Sequence, residues 1–377
     1  MEILNQFVLF HMKNLSLFFL ILFIISCSSN KEKSTEIRLR KSSTPIQLSK
    51  YFSSISPNLL QSDEPIGSID KLVTTDSHIL ISDFNLMKSL RVFDQTGVQL
   101  AYRDDIGEGP MGLSQISDFS VYKDTVYVLD GFRKKILRFS LELETLGEMD
   151  VPIPSNNFLI NQAGIFLLRQ GEDAEEGRLV HYSHQMDYIN TLIPSEELST
   201  QLVFSGTNFF IPINDSSFVF YNPFYPYIWI YRNQNLEKLE MDFNNQFIDV
   251  NVLANMEPLE KLRFANTFEN FYNLSNGVKL SDTEFLFSIR FKKKNGYLQV
   301  DLNTMEMIYM DQIKNDLMST PSTITFSGNS GNQAWYWSEQ EVIEKFYYLN
   351  NRKIPSIERM HLSSDKESKF VFQLRYR

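Results

Sequence analysis

Two stretches of this chain repeat one another at a spacing of 47 residues, and that repeat restricts the fold more than any other feature. Ile79-Leu80-Ile81-Ser82-Asp83, a turn, and Ser89-Leu90-Arg91-Val92-Phe93-Asp94 reappear as Val126-Tyr127-Val128-Leu129-Asp130, a turn, and Ile136-Leu137-Arg138-Phe139-Ser140, with Asp83 and Asp130 at equivalent places. Short β-branched and aromatic runs bounded by turn residues are strand signals. Another short run follows each pair, Val98–Tyr102 and Leu146–Val151, and another precedes it, Ile69–Thr74 and Ile116–Val121. Four short strands per unit, at a period of 40–50 residues, describe a propeller blade, a sheet that buries its faces only by stacking on its neighbours.

The pattern continues in weaker form. Ile165–Leu168, Arg178–Ser183 and Tyr188–Leu192 read as a third blade. Phe209–Ile211, Ser217–Tyr221, Tyr227–Tyr231 and Leu236–Met241 read as a fourth. Phe285–Phe291 and Tyr297–Asp301 form a fifth-blade hairpin, with Asn295-Gly296 expected as its two-residue turn because Asn-Gly supplies the positive φ angles such turns need,. Met307–Met310 follows that hairpin; Thr323–Phe326, Ala334–Trp337 and Phe370–Tyr376 belong to a sixth blade. Phe247–Leu274 and Glu339–Leu349 carry helix-like spacing and are expected as short helical insertions,. The expected fold is all-β, a six-bladed β-propeller of four-stranded blades. Rings of five or seven blades, or two β-sandwich domains, are the alternatives. No Pro/Gly/Ser-rich linker divides the chain in its middle, which favours one closed, monomeric domain.

Ahead of the repeats the chain has a different texture. Leu15–Ser26 is an apolar run too short to span a bilayer, which needs about 20 residues,. It ends at Cys27, the only cysteine, and is followed by the polar Ser28–Lys33. Lys13, the apolar core and Ile24-Ile25-Ser26-Cys27 resemble a bacterial lipoprotein signal and its lipobox, in which the cysteine thiol takes a diacylglycerol and becomes the first mature residue. The expected organisation is therefore a signal peptide over 1–26, a lipidated Cys27 with a flexible tether over 27–44, and the propeller over 45–377. Met12 is an alternative start to Met1. Several acyl chains, at about 0.8 kcal/mol per buried methylene, anchor a protein permanently. Ser28 after Cys27 carries no Asp-type retention signal, which favours the outer membrane of a Gram-negative envelope.

With no second cysteine there is no disulfide, so core burial alone must hold the domain. A chain of this length with 43% hydrophobic and 14% aromatic residues can supply that core,. A formal charge of -10 argues against a nucleic-acid partner,.

Gly107-Glu108-Gly109-Pro110 leading into Ile116–Val121, then Tyr127–Asp130 and Ile136–Phe139, resembles the NHL-like six-bladed propeller lipoproteins common in Bacteroidota. The stretch Asn222–Phe243 is similar to the fourth-blade strand pair of that family. The resemblance covers about residues 35–377. It departs after Pro110, where Met111-Gly112 replaces the family's Gly-Glu, so no role of that acidic residue carries over. It implies a fold and no catalytic residues, and fold alone does not supply a site.

Asp104, Asp105 and Glu108 could offer oxygens to a hard cation such as Ca²⁺, the one cofactor considered, although their spacing matches no EF-hand and an ordinary solvated turn explains them,. Gly171–Gly177 reads as an acidic exposed loop, and Lys292–Lys294 as a solubilising hairpin edge,. His181 and His184 are too few for the metal centre of a propeller lyase,. The aromatic block Phe218–Tyr231 is mostly core by alternation. Phe224, Tyr225 and Tyr227, beside Pro223 and Pro226, are its expected exposed members and candidate ligand-binding residues,. The leading expectation is a non-enzymatic, membrane-anchored binding scaffold whose partner is a glycan or an envelope protein. The alternative is a metal-dependent hydrolase or lyase with a central-channel site built from Asp83, Asp94, Asp130 and Asp301.

Overall fold

The computed structural model describes residues 35–42, 46–84, 86–104, 112–169, 177–195, 198, 209–223, 225–243, 256, 260, 273–291, 294–314, 316–317, 326–330, 333–339, 348 and 369–377. Contacts divide the chain at Thr35, and the unit from Glu36 to Arg377 carries the fold. β1 (Thr35–Lys41), β2 (Ile46–Gln47) and β3 (Phe52–Leu59) precede the first full sheet, β4 (Lys71–Thr74), β5 (His78–Asp83), β6 (Ser89–Asp94) and β7 (Gln99–Arg103). The second sheet is β8 (Asp118–Tyr122), β9 (Thr125–Asp130), β10 (Lys135–Phe139) and β11 (Thr145–Asp150). The third is β12 (Ser155–Asn161), β13 (Gly164–Arg169), β14 (Leu179–Tyr182) and β15 (Tyr188–Ile193). The fourth run is β16 (Phe210–Asn214), β17 (Ser217–Tyr221), β18 (Tyr227–Arg232) and β19 (Asn235–Asp242). The fifth is β20 (Asn273–Lys279), β21 (Glu284–Phe291), β22 (Lys294–Asp301) and β23 (Glu306–Met310). After β24 (Ile313–Lys314), which pairs with β2, come β25 (Phe326–Ser330), β26 (Gln333–Glu339) and β27 (Lys369–Tyr376).

Each run of four is an antiparallel meander, and together they make the all-β propeller that the repeat predicts. The first strand of each meander lies innermost: β25, β4, β8 and β12 are successive neighbours, as are β16, β20 and β25. The last sheet takes its fourth strand from the other end of the domain, in the order β25-β26-β27-β3. β3 pairs with β27 from Phe52↔Tyr376 to Leu59↔Phe370, so the two ends of the domain are joined by a ladder of main-chain bonds. Closure of this kind removes the free edges an open sheet would expose.

Three sequence expectations change here. Residues 35–41, expected as part of the tether, are the strand β1. It lies between β19 and β23 and fuses the fourth and fifth meanders into one nine-stranded sheet. Ile37 is fully buried and Leu39 partly so, while Glu36, Arg38 and Arg40 face out. The alternation that makes a half-buried strand was present, masked by its charged partners. The second change concerns Asn295-Gly296, which is not the hairpin turn. Phe291 pairs with Lys294, so Asn295 and Gly296 stand within the ladder opposite Arg290 and Ile289. Gly296 is there for space, since a Cβ would approach the Met310 carbonyl to 2.7 Å and the Tyr309 ring to 2.9 Å. Third, β12 opens with Ser155-Asn156-Asn157 and showed no strand signal, and β3 gave none that joined it to the last sheet. The proposed helical insertions at 247–274 and 339–349 fall almost wholly outside the described residues.

The middle strands of the meanders are buried on both faces, as the unbroken burial of Ser217–Tyr221 and Ile228–Tyr231 shows. Phe218, Phe220, Tyr221, Trp229, Ile230 and Tyr231 of the fourth meander are all buried with Phe285, Phe287 and Leu298 of the fifth. Each such side chain contributes roughly 1.5–3 kcal/mol of transfer free energy. Packing is by ring edges and faces: Phe218 stacks on Tyr231 at 5.0 Å and meets Phe210 edge-on at 5.5 Å.

Candidate functional site

The inner strands enclose a cavity of about 330 Å³ on the propeller axis. β4 contributes Lys71–Thr74, β8 its last three residues Ser120–Tyr122, β12 its last four Phe158–Asn161, β16 Phe210 and Pro212–Asn214, and β20 its last residue Lys279. These strands therefore end at the same mouth, with exposed Asn214 and Asp215 on the rim. The volume lies toward the lower end of small-molecule sites, about 300–1,000 Å³.

Charged groups bind the wall together. Lys71 Nζ lies 2.6 Å from Asp118 Oδ1, with both side chains largely buried. Asp118 also accepts the Phe119 N–H at 2.8 Å and, through Oδ2, the Phe158 N–H at 3.0 Å. One carboxylate thus links the innermost strands of the first three sheets. On the other side Lys279 Nζ donates to the Ile213 carbonyl and lies 3.3 Å from Asp282 Oδ1, tying β20 to β16. The Gln162 N–H donates to the Asp215 carbonyl at 2.8 Å, linking the β12 and β16 turns.

Two polar side chains of the lining have a buried atom without a protein partner: Thr74 Oγ1 and Asn161 Nδ2. Each residue is only 7% exposed. Asn161 Oδ1 is committed, accepting the Ala163 N–H at 2.8 Å, while its Nδ2 has no protein partner. Leaving a buried donor unmet costs about 1–3 kcal/mol. Beside them Tyr122 stacks on the His184 ring at 5.4 Å, and His184 Nε2 bonds the Asn161 carbonyl at 2.9 Å. Leu72, Leu159 and Phe210 supply apolar surface. The arrangement can hold a ligand with an apolar side and hydrogen-bonding oxygens.

The residues singled out from sequence lie elsewhere. Tyr225, expected exposed, is 2% exposed within the fourth-meander core, because the turn after Asn222 folds its ring inward. Tyr227 is half-buried with Lys238 Nζ 4.2 Å from its ring centroid, and Phe224 lies outside the described residues. Asp104 is exposed and accepts the Tyr102 hydroxyl at 2.9 Å, whereas Asp105, Glu108 and Cys27 lie outside the described residues. His181 is buried, stacked on Phe166 at 4.3 Å, with Nε2 at 3.0 Å from the Ala163 carbonyl; burial pushes its pKa down, against the opposing pull of that bond.

The four aspartates proposed as channel ligands are structural. Asp83 accepts bonds from Ser68 N–H at 2.8 Å, Ser68 Oγ at 2.9 Å and Leu86 N–H at 2.8 Å. Asp130 does the same for Ser114 and the Arg133 N–H, which explains the repeated aspartate at the 47-residue spacing. Asp94 and Asp301 close tight turns through Thr96, Val98 and Asn303 N–H groups. Among the described residues no group of three or more His, Cys, Asp or Glu is placed to hold a metal ion. The cavity pair, Thr74 and Asn161, carried no sequence signal. The only available hint was the alignment of inner-strand ends by the repeat.

Comparison with solved structures finds two Bacteroides proteins of similar fold. An inferred exported protein from Bacteroides fragilis NCTC 9343 aligns with a TM-score of 0.69 at 15% identity, over 91% of this chain and 100% of its own. A member of the DUF4221 family from Bacteroides vulgatus aligns with a TM-score of 0.54 at 9% identity, over 86% of this chain and 97% of its own. Such likeness speaks to fold alone. No curated protein matches the chain. A family model described as a domain of unknown function, DUF4934, matches residues 34–371, and the chain belongs to that family.

Proposed function

We propose that this protein is a non-enzymatic binding scaffold of the bacterial cell envelope, anchored by lipid on Cys27, that takes the end of a glycan into its axial cavity. The observation that carries the reading is the pair of buried, unmet polar atoms, Thr74 Oγ1 and Asn161 Nδ2, in a cavity walled by five inner strands. A hydroxyl-rich ring offers the oxygens they need and an apolar face for Phe210 and Leu159, and it fits the volume. The lipobox-like Ile24–Cys27 and the inferred export of the B. fragilis protein support placement in the envelope. The resemblance to NHL-like propeller lipoproteins supports the same placement.

The test is a glycan panel presented to the detergent-purified protein, repeated with Thr74→Val and Asn161→Leu. Thr74→Val removes its unmet hydroxyl at similar volume, and Asn161→Leu removes the unmet amide together with the Oδ1 acceptor of the Ala163 N–H, a turn bond whose loss the melting control reads. The expected result is a panel member whose affinity falls at least tenfold in either variant, with melting unchanged within a few degrees. Absence of any panel binding, or binding indifferent to both substitutions, would reject the cavity as the site.

A further inference from the structure

The mouth of the cavity is acidic. Of the turns that leave its five inner strands, four hold a carboxylate: Asp76 after β4, Asp124 after β8, Asp215 after β16 and Asp282 after β20. All four are exposed. Asp282 is answered by Lys279, 3.3 Å away. The side chains of Asp76, Asp124 and Asp215 accept no hydrogen bond and form no ion pair among the described residues. Lys123 is the one cation in these turns, with its Nζ 5.1 Å from the centroid of the Tyr122 ring. The two cations of the wall are already engaged, Lys71 by Asp118 and Lys279 by the Ile213 carbonyl and Asp282. Three unanswered carboxylates against one lysine leave the mouth net negative.

Asp215 is the acidic residue of the lining itself. The Gln162 N–H bonded to its carbonyl at 2.8 Å sets it beside the residue that follows Asn161. Asn161 Nδ2 and Thr74 Oγ1 are the unpartnered buried atoms of the same cavity, each on a residue 7% exposed. One end of the cavity therefore offers an amide donor, a hydroxyl that can give or take a bond, and an anionic acceptor. Exposed carboxylates by themselves attract weakly and are screened by salt. Among the described residues no three ligating groups gather to coordinate a metal ion. The two buried atoms call instead for an organic ligand with oxygens, and the rim for one that is positively charged.

Resting on the cavity reading above, we propose that the ligand is a sugar with a free, protonated amine, its hydroxyls on Asn161 and Thr74 and its ammonium on the Asp215 carboxylate. A hexosamine carries its amine on the ring carbon next to a hydroxyl, so one ring can reach an amide and a neighbouring carboxylate together. Asp76 and Asp124 act through the field they add at the mouth, which raises the local concentration of a cation. N-acetylation removes the charge and with it the bond to Asp215.

The experiment titrates the full chain with glucosamine, galactosamine and mannosamine, with their N-acetylated forms and with the parent neutral hexoses, at low and at high salt. One free amine is expected to bind about fivefold or more tightly than its acetylated and neutral counterparts, with a preference that shrinks as salt rises. Asp215→Asn should bring that amine down to the level of its acetylated form, and Asp76→Asn should do so in part. Asp63→Asn removes the same charge from the exposed connection ahead of β4 and should leave the preference intact. Equal affinity for the amine and its uncharged counterparts, with all of them weakened by Thr74→Val, overturns the charge inference and leaves the cavity reading standing. A preference that Asp63→Asn lowers as much as Asp215→Asn is the pull of an acidic protein as a whole, and overturns the inference too. Absence of binding by every sugar, charged or neutral, overturns the cavity reading and this inference together.

Discussion

The first two meanders and the fourth and fifth solve the same packing problem with different chemistry. In the first pair, polar clasps fix the strand ends: Asp83 holds Ser68, Asp130 holds Ser114, and Lys71 with Asp118 joins one sheet to the next. Buried Arg91 belongs to the same scheme, donating to Ser62, the Glu64 and Pro65 carbonyls and Gln99, and lying 4.4 Å from the Tyr102 ring. The fourth and fifth meanders rely on rings and aliphatics around Phe218, Trp229 and Phe287, and gain β1 as a shared strand. Polar clasps are directional and fix register. Apolar contact is non-directional and leaves register to side-chain shape. The repeat is sharp in the first region and blurred in the second for that reason.

The comparison can be broken by substitution. Trp229→Ala should have the largest effect, about 3–5 kcal/mol in urea unfolding, and should be insensitive to salt. A cost below about 1 kcal/mol would mean the fourth meander does not depend on its rings. Asp118→Ala should come close behind, at about 3 kcal/mol or more, because it strands buried Lys71. The double variant Lys71→Met/Asp118→Leu sharpens the point. It should recover at least half of that loss, since the desolvation of both charges is removed together. No recovery would show that the Phe158 N–H bond carries the effect.

The smallest expected effect concerns pH. Burial pushes the Asp83 carboxyl up, but bonds from Ser68, Leu86 and Met87 outweigh it and hold the group below its usual 3.8. A depressed carboxyl stabilises the fold fully above the unfolded value and loses that contribution as the pH falls through the folded one. Asp83→Asn should therefore cost about 1.5–3 kcal/mol at pH 7, the worth of charge-assisted bonds, and progressively less below about pH 4. A cost that stays constant from pH 7 to pH 3 would contradict the clasp.

Legibility followed the same division. Ile79–Asp83 and Val126–Asp130 announced themselves because identical local needs recur at a fixed spacing. β1 was hidden by Glu36, Arg38 and Arg40, whose charges face out while Ile37 packs in. Gly296 was misread because a glycine needed for close approach to Met310 looks like one needed for a turn. The aromatic block was legible as core, but the inward course of Tyr225 depends on a turn whose direction neighbouring strands impose. Thr74 and Asn161 were invisible as a pair, being 87 residues apart on non-adjacent sheets.

The sequence by itself determined the strand-forming runs, their period and the all-β propeller, because hydrophobic alternation and turn chemistry are local. Tertiary structure alone decided that β3 closes the ring onto β27, that β1 joins two sheets, and that two modest polar residues meet at one cavity. Those facts depend on which strand ends reach the axis together and on which edges remain unpaired until the chain has closed.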